Sequence, residues 1–122
     1  MNETATTLVI GASENPERYS NIAIRMLREY GHPVKAVGLK KGTVADVSIE
    51  SEKPELTNVD TVTLYIGPQH QAPWETYLLE HKPRRIIFNP GTENPEFEEK
   101  ARQQGIETLE ACTLVLLRTG QY

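Results

Sequence analysis

Leu8-Val9-Ile10-Gly11-Ala12-Ser13-Glu14-Asn15-Pro16-Glu17-Arg18-Tyr19-Ser20-Asn21 is an apolar segment that meets a glycine, crosses a polar loop and leads toward a helix. The apolar run, residues 7–11, shows no alternation, the mark of a strand covered on both faces. A glycine where such a strand turns sharply into a helix lets backbone N–H groups approach an anion, and the helix N-terminus behind it adds partial positive charge. The stretch therefore reads as a phosphate cradle. It departs from the dinucleotide fingerprint Gly-x-Gly-x-x-Gly, because Ser13 and Pro16 stand where the second and third glycines belong.

Outward from this unit, strands and helices alternate. Ser20 or Asn21 is the expected cap of a helix whose apolar residues Ile22, Ile24, Met26, Leu27 and Tyr30 recur at roughly helical spacing, until Gly31 and Pro33 stop it. Residues 34–38 form a second predicted strand, and 44–49 alternate only weakly, as in an edge hairpin or a loop. The β-branched run within 59–66 marks a third, central strand ending in Gly67-Pro68-Gln69-His70. A helix to His81 follows from Gln71 or Pro73, since proline is tolerated in a first turn. Residues 85–88 make a fourth strand, Asn89-Pro90-Gly91-Thr92 a turn, and 95–104 a helix with early acids and late bases, matching the macrodipole. After Gly105 come a fifth strand, 106–109, and a last short helix, 113–118. The alternation predicts an α/β fold: one Rossmann-like, doubly wound, parallel five-stranded sheet in the order 3-2-1-4-5, with helices on both faces.

A chain of 122 residues buries a sizeable core as a single domain, 1–122. Its formal net charge of −4 supplies no basic footprint for nucleic acid. One cysteine, Cys112, excludes an internal disulfide framework. With neither a signal peptide nor an apolar run of spanning length in the sequence, the expected compartment is the cytoplasm and no membrane partner is expected. Against this acidic background an anionic ligand needs local donors, so cations near the cradle are informative.

In an open doubly wound sheet the ligand crevice lies beyond the carboxyl ends of the strands, where the strand order reverses. Four loops are expected to converge there. They bring Gly11, Ala12, Ser13, Asn15, Arg18, Ser20 and Asn21; Gly38, Lys40 and Lys41; Gly67, Pro68 and His70; and Asn89, Pro90 and Gly91. The end of the second strand bears on which nucleotide is held. A site for NAD places an acid there for the ribose 2′-hydroxyl, whereas Gly38-Leu39-Lys40-Lys41 offers cations, suited to a ribose carrying an extra phosphate, as in NADP or coenzyme A. A solvated turn is the plainer explanation for two adjacent lysines. Arg18, just ahead of a helix N-terminus, is placed to clamp a pyrophosphate through two parallel hydrogen bonds; its plainer role is an ion pair with Glu14 or Glu17.

Gly11-Ala12-Ser13-x-x-Pro16-x-Arg18-x-Ser20 resembles the opening of the small stand-alone CoA-binding proteins, relatives of the nucleotide-binding domain of the succinyl-CoA synthetase α subunit. The resemblance extends over nearly the whole chain, through Asn89-Pro90-Gly91-Thr92, the helix that follows, and Cys112. It implies that Gly11, Ala12, Ser13, Arg18 and Ser20 meet the phosphates. It also implies that Lys40 or Lys41 lies near the ribose 3′-phosphate, and that Gly67 and Pro68 border the adenine or pantetheine path. Many such proteins have Asn-Pro after the second strand; here the loop is closer to the Lys-Gly segment of the synthetase subunit. The synthetase's phosphorylated histidine belongs to a second domain with no counterpart in these residues.

Catalysis needs a nucleophile with its base, paired carboxylates or a metal-ligand cluster, and none assembles from this sequence. His32, His70 and His81 share no metal-ligand spacing, and of the three only His70 falls in a crevice loop. Cys112 follows the fifth strand, either as a small buried residue or as a thiol that meets the pantetheine end of CoA and reports redox state through a mixed disulfide. The leading expectation is non-catalytic binding of coenzyme A or acyl-CoA, as a sensor or as a carrier serving a partner enzyme. The alternatives are a minimal NADP- or other nucleotide-binding enzyme, and a vestigial nucleotide fold used for protein contacts. For those contacts Trp74 and Tyr77 would supply a homodimer face.

Overall fold

The computed structural model describes residues 5–122. The elements are β1 (Thr6–Ile10), α1 (Tyr19–Glu29), β2 (Val34–Val37), β3 (Gly42–Val44), β4 (Val47–Glu50), β5 (Val59–Leu64), a 3-10 turn (Pro68–His70), α2 (Ala72–His81), β6 (Arg85–Phe88), α3 (Pro95–Gln103), β7 (Glu107–Glu110) and α4 (Thr113–Arg118). Among the described residues, seven strands form one sheet in the order β3-β4-β2-β1-β5-β6-β7. Every pairing is parallel except that of β3 with β4. No helix of the described residues is long and apolar enough to cross a membrane.

All five residues of β1 are buried because the strand lies at the centre of the sheet and is covered on both faces. Leu8 and Ile10 point into one core with Val62, Leu64, Ile86 and Phe88, closed by Leu78 of α2 and by Phe97 and Ala101 of α3. Val9 points into the other core, with Ala36, Ile49, Ile24 and Leu27 of α1, and Leu117 of α4. The Rossmann-like, doubly wound class follows from this two-sided covering.

Three expectations are corrected. The sheet has seven strands rather than five, because the weakly alternating stretch 44–49 belongs to a hairpin of β3 and β4: Val44 pairs with Val47 across a turn in which Ala45 takes φ 54°. In addition, Val59–Leu64 pairs with β1, and β4 takes the place beside β2 that was expected for it. Numbered along the chain, the parallel strands alone run 3-2-1-4-5-6, with β4 as the third. The five strands read from the sequence therefore run 2-1-3-4-5 rather than 3-2-1-4-5, because the 59–66 strand lies beside β1 and not at the edge beside β2. Helix α1 also begins earlier than expected: Arg18 is its N-cap, with no side-chain cap bond, while Ser20 and Asn21 are buried inside its first turn.

Candidate functional site

The strand order reverses at β1, with β2 on one side and β5 on the other. Beyond their carboxyl ends lies an open cleft of about 620 Å³, walled by the loops that leave these three strands. It is lined by Gly11, Ala12, Ser13, Glu14, Asn15 and Arg18, by Leu39, Lys40 and Lys41, and by Tyr65, Ile66, Gly67 and His70. Nine of the expected residues therefore meet around one space.

The loop after β1 is braced against the end of β2. Gly11 and Ala12 both donate their backbone N–H to the Val37 carbonyl, each at 2.9 Å. Those two amides are thus committed to the fold, and the N–H groups of Ser13 and Glu14 are the ones with no acceptor among the described residues. Gly11 is required twice over. Its φ of +96° belongs to the left-handed region, and a Cβ there would sit 2.8 Å from the Tyr65 carbonyl oxygen. At Gly38 a Cβ would lie 2.2 Å from the Ala12 carbonyl oxygen. These glycines let three strand ends crowd together beneath the cleft.

Beyond Ala12 the loop holds its own shape. Ser13 Oγ accepts from the Asn15 N–H at 3.1 Å, Asn15 Oδ1 accepts from the Glu17 N–H at 3.0 Å, and Asn21 Nδ2 donates to the Ser13 carbonyl at 2.9 Å. Asn21 thus acts from below and does not line the cleft; neither does Ser20. Arg18, Lys40 and Lys41 form no ion pair with a carboxylate among the described residues, so the pairing of Arg18 with Glu14 or Glu17 does not occur. His70 reaches the rim from the 3-10 turn, while Pro68 is exposed outside it.

The fourth expected loop stands apart, because β6 lies one strand beyond the switch point. Asn89 is buried as a pin between elements. Its Nδ2 donates to Thr63 Oγ1 at 2.6 Å and to the Leu64 carbonyl at 2.8 Å, and its Oδ1 accepts the Thr113 N–H at 2.9 Å. Pro90 and Gly91 are exposed and line no part of the cleft. Cys112 caps α4, half-buried and outside the lining. Trp74 and Tyr77, both half-buried, pack against the core and each other, with Lys53 over both rings and the Tyr77 hydroxyl bonded to the Pro54 carbonyl.

Four lining residues escaped the sequence analysis: Glu14, Leu39, Tyr65 and Ile66. Tyr65 and Ile66 follow β5 directly, which was the available signal. Burial pushes the Tyr65 phenol up to about 12, and its hydroxyl lies beside those of Thr63 and Thr113 without a hydrogen bond of normal geometry. Leu39 is 99% exposed, an apolar side chain at the mouth of a cationic cleft.

A family model described as a CoA binding domain matches residues 5–118. A crystal structure of an uncharacterized protein is similar at 47% identity and TM-score 0.93, over 97% of this chain and 98% of the other. A Thermus thermophilus protein shares the fold at 21% identity and TM-score 0.81, over 97% of this chain and 90% of that one. So does the dinucleotide-forming acetyl-coenzyme A synthetase 1 of Ca. Korarchaeum cryptofilum, at 13% identity and TM-score 0.73, over 88% of this chain and 26% of the synthetase. No curated protein matches the chain.

Proposed function

The chain belongs to the CoA-binding domain family, and from that premise we propose that its cleft holds coenzyme A or an acyl-CoA and that the protein binds the cofactor without converting it. The observation that carries this reading is the group Arg18, Lys40 and Lys41, three cations on the walls of one cleft with no carboxylate partner among the described residues. In a chain of net charge −4, cations left unneutralised around a concave site suit a polyanion. Arg18 and the Ser13 and Glu14 amides take the pyrophosphate, and the lysine pair takes the 3′-phosphate. Leu39, Tyr65 and Ile66 give apolar surface for the adenine and the pantetheine arm. The fold neighbour named as an acetyl-coenzyme A synthetase supports the same ligand class. Holding CoA in this way suits a sensor of the cofactor or a carrier that presents it to a partner enzyme.

Calorimetric titration of the purified protein with CoA, acetyl-CoA, NADP and ATP tests the reading. CoA and acetyl-CoA are expected to bind in preference to the other two, and Arg18→Ala to weaken CoA by about tenfold or more, the loss of a charge-assisted pair. Equal affinity for NADP or ATP would remove CoA as the ligand. An unchanged affinity in Arg18→Ala would remove the clamp even if CoA binds.

A further inference from the structure

Glu14 is an acidic residue in a cleft proposed for an anion, yet it pairs with none of the three cations. Its Oε2 instead accepts the backbone N–H of Thr43 at 2.8 Å, across 29 positions of sequence. Thr43 lies in the edge strand β3, where an outward N–H has no neighbouring strand to receive it. The carboxylate supplies that acceptor and ties the loop after β1 to the start of β3. The approach is close: a Cβ at Gly42 would sit 2.4 Å from Glu14 Cδ, so this passage is open only because residue 42 is glycine.

Between Gly38, whose N–H donates to the Glu50 carbonyl at 2.8 Å, and Gly42 stand Leu39, Lys40 and Lys41, exposed and with no hydrogen bond of their own among the described residues. Their direction is set by the anchors at either end of the segment. One anchor is the sheet; the other includes the Glu14 strap. We propose that Glu14 is a positioning residue that holds the Lys40–Lys41 turn over the cleft and thereby sets the preference for a ligand bearing a phosphate on its ribose. Because the strap bonds to a backbone amide, it orders the turn without neutralising the lysines.

The selectivity arm of this inference rests on the CoA reading; the ordering arm does not. Three variants separate tie from charge. Glu14→Ala removes both, Glu14→Gln keeps an acceptor for the Thr43 N–H but removes the charge, and Gly42→Ala expels the carboxylate while leaving it charged. The ratio of affinities for CoA and dephospho-CoA, which lacks the 3′-phosphate, is measured by calorimetry. Backbone 15N relaxation of residues 39–43 is measured in the ligand-free protein. Glu14→Ala and Gly42→Ala are expected to lower the affinity ratio at least fivefold and to loosen residues 39–43, with Glu14→Gln close to the unmodified protein in both. An unchanged ratio in Glu14→Ala and Gly42→Ala, or unchanged order of the turn in both, overturns the inference, as does equal loss in Glu14→Gln. Failure of the unmodified protein to bind CoA defeats the CoA reading instead, and the relaxation data then decide the strap alone.

Discussion

Gly38 and Gly42 lie four residues apart, and the same substitution costs far more at the first than at the second. At Gly38 the added methyl would lie 2.2 Å from a backbone carbonyl that is itself fixed by the Gly11 and Ala12 bonds to Val37, so relief requires moving a central strand end. At Gly42 it meets the end of a flexible side chain. Gly38→Ala is expected to cost about 3 kcal/mol or more and Gly42→Ala less than about 1 kcal/mol, as read from urea denaturation midpoints. Asn89 is a second case. Removing its amide in Asn89→Ala strands the Leu64 carbonyl and the Thr113 N–H in the core, with an expected loss of about 2–3 kcal/mol in the same measurement. In the sequence alone Gly38 and Asn89 read as ligand-contacting residues. A strand-end glycine that faces a ligand and one that faces a neighbouring carbonyl look alike in one dimension. The hydrogen bonds that separate the two roles cross 24 to 26 positions of chain for both Asn89 and Gly11.

The elements that were legible are those with a strong local pattern. The unbroken apolar run of β1, the early acids and late bases of α3 and the Pro73 first turn of α2 all point to one structure. The β3–β4 hairpin reads only as hairpin or loop in the sequence because its strands are short, of three and four residues, and only one face of β4 is covered. Its position beside β2 is a tertiary fact. Where neighbouring strands are stitched by side chains, pH provides a test. Arg84, just ahead of β6, donates through Nε and Nη2 to the two carboxylate oxygens of Asp60 in β5, at 2.8 and 2.9 Å. The Arg84 guanidinium holds the Asp60 carboxyl below its usual 3.8. The unfolded chain therefore takes up this proton first as the pH falls. The stabilisation is fully present above 3.8 and disappears as the pH drops through the native value. Solvent screening limits it to about 1 kcal/mol. Asp60→Asn is expected to be less stable than the unmodified protein by that amount at neutral pH, with the gap closing below 3.8 in denaturation curves across pH.

At the scale of the whole molecule, three loops converge where four were expected. A switch point joins one central strand to its two neighbours, so only the loops after β1, β2 and β5 overlook it; the loop after β6 is set one strand spacing aside. This arrangement predicts which parts of the chain a bound ligand touches. At a CoA concentration a hundredfold above its dissociation constant, binding stabilises the native state by about 2.7 kcal/mol, which slows exchange of every amide that opens only by global unfolding. Those amides, in β1, β5 and β6, carry no information on position. Loop amides that exchange through local opening do. Hydrogen exchange with and without CoA is expected to show added protection at residues 13–18, 39–43 and 65–70, and none at 90–92. The Gly11 and Ala12 amides, already bonded to Val37, should change little beyond the global effect. Protection at 90–92 without protection at 39–43 would place the ligand over β6 and move the site away from the lysine turn.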